Sequence, residues 1–182
     1  MRLRKDYAMN ATETGFAYDA VALFGFGELT TEPLPQPSPG EIVIRYSGWS
    51  LQELRDSEIG RKFLHEQDWY NKYPWSTEKL PSCIYRLRVP VRDSNNKTFG
   101  EQERLLPQGE QVAPVVLVAS ALLSHHLQTK EDLLKNDWTR CKEQDADGDR
   151  VGLGWRGGRL GVGNFWDGVR VDYVRLSSVR TS

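Results

Sequence analysis

Polar and apolar positions alternate in two stretches of the chain. In Glu41–Tyr46 the residues Ile42, Ile44 and Tyr46 share one side, and in Cys83–Val91 Tyr85, Leu87 and Val89 oppose Arg86 and Arg88. A period of two predicts a β-strand in each, the second half-buried and ended at a sheet edge by Pro90. Between them, Ser50 and Glu53 stand at capping-box spacing and predict a helix from about Leu51 to Leu64, weakened by Gly60. Thr98 and Glu101 repeat that spacing before a short helix around Phe99–Leu106. Pro114 opens an uncharged, apolar run that reads as the central buried helix, with a strand over Val115–Val118 as the rival reading. Thr129 then caps a further helix over "KEDLLKNDW".

The clearest pattern is carboxyl-terminal. Gly157–Gly158 suits the positive φ values of a two-residue hairpin turn. In that register Trp155 faces Leu160, Gly154 faces Gly161, Leu153 faces Val162 and Gly152 faces Gly163, so apolar meets apolar and glycine meets glycine. A second turn at Asp167–Gly168 sets Trp166 against Val169 and Val162 against Tyr173. One face then carries Val151, Leu153, Trp155, Leu160, Val162, Trp166, Val169, Val171 and Tyr173 as core. The other carries the four glycines with Phe165, Arg170, Asp172 and Val174.

These elements predict an α+β fold: an antiparallel or mixed sheet ending in a C-terminal three-stranded β-meander, with about three helices packed on one side. Residues 1–32 form an amino-terminal arm without assigned structure, in which Ala20–Phe26 is a short helix or a strand. Residues 33–40, with prolines at 33, 35, 37 and 39, form an extended connector, either a linker or an ordered surface strap. Residues 41–182 make a single domain.

Composition narrows the classes of function. A net charge of −1 argues against a protein that grips nucleic acid over its whole surface. With 38% hydrophobic and 27% charged residues the chain is globular. The uncharged run Gln111–Gln128 is too short in apolar residues to span a membrane. The basic start "MRLRK" turns polar without a secretory apolar region, and the two distant cysteines, Cys83 and Cys141, suit a reducing compartment, so the cytoplasm is the expected location. Whether those cysteines pair stays open.

Candidate chemistry is thin, and no residue qualifies as catalytic. "STEK" (Ser76–Lys79) has the S-x-x-K spacing of acyl-serine enzymes, but Pro74 and Pro81 leave no room for the helix that chemistry needs. "EQDADGDR" places Asp145, Asp147 and Gly148 as in a calcium loop, yet Gly154 stands where the bidentate Glu belongs. His65, His125 and His126 lack zinc spacing, the last two suiting a helix carboxyl terminus instead. No metal or cofactor is therefore expected.

Two candidate binding places remain. The glycine floor, rimmed by Phe165, Arg170 and Asp172, offers a flat backbone that a ligand, a helix or a second subunit can approach closely. The loop "DWYNKYPW" (Asp68–Trp75) reads mostly as core, with Trp69 buried and Trp75 left available. From Arg150 onward there are six arginines and no lysine, on strands next to an acidic segment, which reads first as solvated ion-pair partners. The expected role is a noncatalytic binding or protein-interaction module, its partner another protein or a second subunit. The alternatives are a small hydrolase or transferase with dispersed acids (Glu58, Asp172) and a nucleic-acid accessory protein using the arginine-rich strands.

Overall fold

The computed structural model describes residues 14–182. It is an α+β protein with two mixed sheets. The first contains β1 (Phe16–Asp19), β2 (Ile42–Tyr46), β3 (Cys83–Arg88), β4 (Gln111–Val112) and β9 (Ser178–Thr181), in the order β1-β2-β3-β9-β4. The second contains β5 (Trp138–Gln144), β6 (Arg150–Arg156), β7 (Arg159–Phe165) and β8 (Val174–Leu176), in the order β7-β6-β5-β8. Among the strands of the described residues, β1 with β2 and β5 with β8 run parallel and the other pairs antiparallel. A single residue, Ser177, separates β8 from β9, so the chain steps there from one sheet into the other. Its buried hydroxyl meets Thr139 Oγ1 at 2.7 Å and fixes that corner.

The helix predicted after Pro114 is α5 (Val115–Thr129), and it packs against both sheets, touching β1 and β2 on one side and β5 and β6 on the other. That position explains its composition. Every residue from Val115 to His125 is buried, so no polar stripe is needed, and each of its fully buried leucines contributes about 1.5–3 kcal/mol. Ser120 satisfies its hydroxyl on Val116 O and accepts the Trp49 indole N–H at 3.1 Å. The strand reading of Val115–Val118 is excluded.

Both predicted capping boxes form. Ser50 and Glu53 start α2 (Leu51–Asp56), and Thr98 and Glu101 start α4 (Phe99–Glu103). The single helix expected over 51–64 is instead two. Ser57 turns extended, accepts the Gly60 amide with its hydroxyl and opens α3 (Glu58–Phe63). Gly60 is there for closeness, because a Cβ at that position would lie 1.9 Å from Leu54 O. No helix follows Thr129, which ends α5; Lys130 takes the left-handed conformation and 131–137 form turns before β5. Strand β3 is not at an edge, for β2 and β9 flank it, and it ends two residues before Pro90.

The expected arm, 1–32, contains β1 and α1 (Ala20–Phe24) from residue 16 on, with Val21 and Phe24 in the main core; its first 13 residues lie outside the described ones. Residues 33–40 are an extended surface strap. Arg86 donates to Gln36 O, and Arg45 donates to Glu32 O just before it. The strap turns back at Glu41, whose carboxylate is buried among Arg86 (2.9 Å), Arg180 (2.6 Å) and Arg88 (3.8 Å).

Burial alone would raise the Glu41 carboxyl, but Arg180, the Ser38 amide and Arg86 outweigh it and hold it at about 2. A carboxyl depressed in the folded state contributes stability above its unfolded pKa and loses it as pH falls toward the folded one. Between pH 5 and pH 3 this one group is expected to remove about 2 kcal/mol. Urea melts at the two pH values check it, and Glu41→Gln should flatten that part of the pH dependence. An unchanged slope in the variant refutes the assignment.

Candidate interaction surface

The hairpin β6–β7 has the register read from the sequence, residue for residue: Gly152 opposite Gly163, Leu153 opposite Val162, Gly154 opposite Gly161 and Trp155 opposite Leu160. Its apolar face is core, with Val151, Leu153 and Leu160 fully buried. A three-stranded antiparallel meander is present, but it runs β5–β6–β7 and not onward through 169–173. The place of that third strand is taken. Gln67 pairs with both backbone groups of Val162, its amide donating to Val162 O and accepting from Val162 N at 2.9 Å each, and the His65 amide donates to Leu160 O. Trp166 and Tyr173, expected in the core, are therefore 67% and 44% exposed.

The glycine floor is covered from within. Trp138, the first residue of β5, lies across it: a Cβ on Gly154 would be 2.6 Å from the indole and one on Gly163 3.0 Å. Phe165 packs edge-on to Trp138, centroids 5.4 Å apart, and fills the space over Gly152. The floor thus serves Trp138 and Phe165, and Phe165 is half-buried in that role. Trp75 is half-buried too. It stacks on Tyr70 and Tyr73 and donates its indole N–H to Gln144 O at 3.1 Å. Trp69 is only half-buried, and the fully buried aromatic of that loop is Tyr70. Ser76 of the S-x-x-K tetrapeptide is buried with its hydroxyl on Tyr73 O, while Lys79 pairs with Glu53. Asp145 folds its own loop, accepting from the amides of Asp147 and Asp149.

Arg170 and Asp172 are exposed on the segment 166–173, away from the glycine floor. Arg170 pairs with Glu101 of α4 at 2.7 Å. The segment carries no regular structure, yet its backbone is anchored at many points. Phe99 N donates to Asp167 O, Asn96 N to Val171 O, and Trp138 N to Tyr173 O. Beneath it lies Arg140, wholly buried. Its guanidinium donates to Gln102 Oε1 (2.9 Å), Trp166 O (2.8 Å), Val169 O (3.2 Å) and Lys97 O (3.3 Å), tying two irregular segments to β5. Burial lowers the Arg140 pKa, but the group stays a cation at neutral pH. The sequence carried no signal for it, since an inward arginine breaks the polar-out pattern by which strands are read.

Two open depressions of about 550 and 560 Å³ mark the surface. Arg45, Cys83, Ser82 and Glu32 line one; Glu53, Asp56, Ser57 and Lys79 line the other. Among the described residues the carboxyl most displaced toward neutrality is Glu143, pushed by burial to about 7. It accepts the Val115 amide at the start of α5 and lines neither depression. Glu58 and His65 form no acid–base pair, for His65 Nε2 bonds Arg156 O. Among the described residues no cluster of His, Cys, Asp and Glu is arranged to hold a metal, and no helix is long and apolar enough to cross a membrane. Both cysteines are free. Compared with models of known protein families, with curated protein sequences and with solved structures, the chain matches none.

Proposed function

We propose that the protein is a noncatalytic interaction module that presents the loop 166–173 to a protein partner, in the reducing cytoplasm that suits its two free thiols. One observation carries this reading: Trp166 and Tyr173 are exposed on a loop whose backbone a buried arginine holds rigid. Trp, Tyr and Arg are the residue types that dominate binding energy at protein interfaces, and Trp166, Arg170 and Tyr173 lie within eight positions. A loop fixed beforehand also loses little entropy when it binds.

The test is an affinity purification of the tagged chain from its own cells, wild type beside Trp166→Ala/Tyr173→Ala. Both side chains are exposed, so the variant is expected to melt within a degree or two of wild type. A partner retained by the wild type should be lost, with affinity at least about tenfold weaker when remeasured with purified components. Equal capture by both proteins removes the loop from consideration.

A further inference from the structure

The six arginines of the carboxyl-terminal stretch divide into two groups. Arg150 pairs with Asp167, Arg170 with Glu101, Arg175 with Asp137 and Arg180 with Glu41. Arg156 and Arg159 make no ion pair among the described residues, and they face each other across the β6–β7 register at the hairpin tip. Like charges directly opposite in a strand pair are destabilising. The hairpin register does not require the pair, because the Gly157–Gly158 turn sets it. Arg156 gains a contact with the Trp138 ring, but Arg159 breaks the rule without such a gain among the described residues, as positions kept for function do.

The surroundings extend the charge. A parallel bridge between Leu64 and Leu160 brings the end of α3 beside the tip, and His65 ties it there through Arg156 O and Leu160 O. The last turn of α3 carries Arg61 and Lys62, both exposed and both without an ion pair among the described residues. The exposed acids nearest in sequence are Glu58 and Glu66, so the patch keeps an excess of positive charge on a chain whose net charge is −1. The guanidinium of Arg156 sits 5.8 Å from the ring centroid of Trp138, a stacked cation on a half-buried indole.

From this we infer that the tip of the β6–β7 hairpin, with the end of α3, binds the phosphodiester backbone of nucleic acid. Planar arginine forks match phosphate oxygens, and the Trp138 ring beneath Arg156 holds that guanidinium at the tip. An anionic membrane is the poorer fit. Among the described residues the large exposed apolar side chains, Leu29, Leu105, Trp166 and Tyr173, lie on other segments, whereas membrane-surface binding needs apolar residues beside the basic ones. This surface is separate from the loop 166–173 and stands or falls independently of it.

Fluorescence anisotropy of the full chain with a labelled 20-nucleotide single strand, and with the matching duplex, tests it between 20 and 200 mM salt. Four cations on four phosphates predict a log–log salt slope of about −3 on the single strand. Arg156→Ala/Arg159→Ala should weaken binding at least tenfold and reduce the slope by about 1.4. Lys62→Gln, on a different element, should reduce it by about 0.7, so the test does not rest on one variant's folding. Arg92→Ala, exposed and already paired with Asp93, should change nothing. No salt-dependent binding to either form, or equal binding by all four proteins, overturns the inference. So does binding to vesicles containing phosphatidylserine with none to the oligonucleotides.

Discussion

Arg140→Ala is expected to destabilise the protein by about 3–5 kcal/mol, through the buried acceptors it leaves unpaired and the packing it removes. The guanidinium is wholly buried and satisfies three backbone carbonyls and the Gln102 amide. Removing it takes the arginine donor from Gln102 Oε1, Val169 O and Lys97 O, while Trp166 O keeps the Val169 amide; each buried acceptor left unpaired costs about 1–3 kcal/mol before relaxation. Arg140→Lys should recover little, because an ammonium is a point charge and cannot reach acceptors spread along a planar fork. The damage should be local as well as global. Segments 94–98 and 166–169 lose their common anchor, so amide exchange there should accelerate more than in β2 or α5. Urea denaturation measures the first effect and hydrogen exchange the second. A loss under about 1 kcal/mol, or protection unchanged in 166–169, would show that the two segments hold each other without the arginine. If the loop is the interaction surface proposed above, Arg140→Ala should weaken partner capture while leaving Trp166 in place.

What the sequence disclosed depended on whether neighbours along the chain set the structure. The capping boxes at Ser50 and Thr98 are local, and both formed. The β6–β7 register was legible because one turn dipeptide fixed it and two kinds of residue, glycine and apolar, confirmed it. Its continuation was not legible. The turn at Asp167–Gly168 exists, but the edge of β7 that 169–173 would have paired with is held by Leu64, His65 and Gln67. A glutamine side chain standing in for a strand has no sequence signature. Strand β5 was equally hidden. Its inward residues Thr139, Cys141 and Glu143 are mostly polar, and its other face holds Arg140 and Trp138, so no apolar alternation announces it. The same gap kept the glycine floor from being understood. Glycine pairing does signal that something lies close above the sheet. That the occupant is Trp138 follows only from the neighbouring strand, which places the indole there.

The floor therefore makes a sharper prediction than glycine content alone. Gly154→Val should cost about 3 kcal/mol, since even the first carbon of the new side chain would stand 2.6 Å from the Trp138 ring and must expel it. Gly161 is directly opposite in the register, yet a Cβ there meets only His65 at 3.4 Å and the rim of Trp138 at 3.6 Å. Gly161→Ala should accordingly cost less than about 1 kcal/mol. A solvent-facing floor would treat the two positions alike, and a β-branched residue would stabilise either strand. Removing the indole should reverse the sign at the sensitive position. In a Trp138→Ala background the steric cost of Gly154→Val disappears and its β-propensity remains, so the second substitution becomes neutral or favourable. A double-mutant cycle by urea denaturation should then report a coupling of about 2–3 kcal/mol between residues 138 and 154. Coupling near zero would mean that the indole gives way freely and that the glycines relieve strand twist instead. Coupling of the expected size assigns Gly154 to the seating of the Trp138 ring, beside Gly163 under the same ring and Gly152 under Phe165.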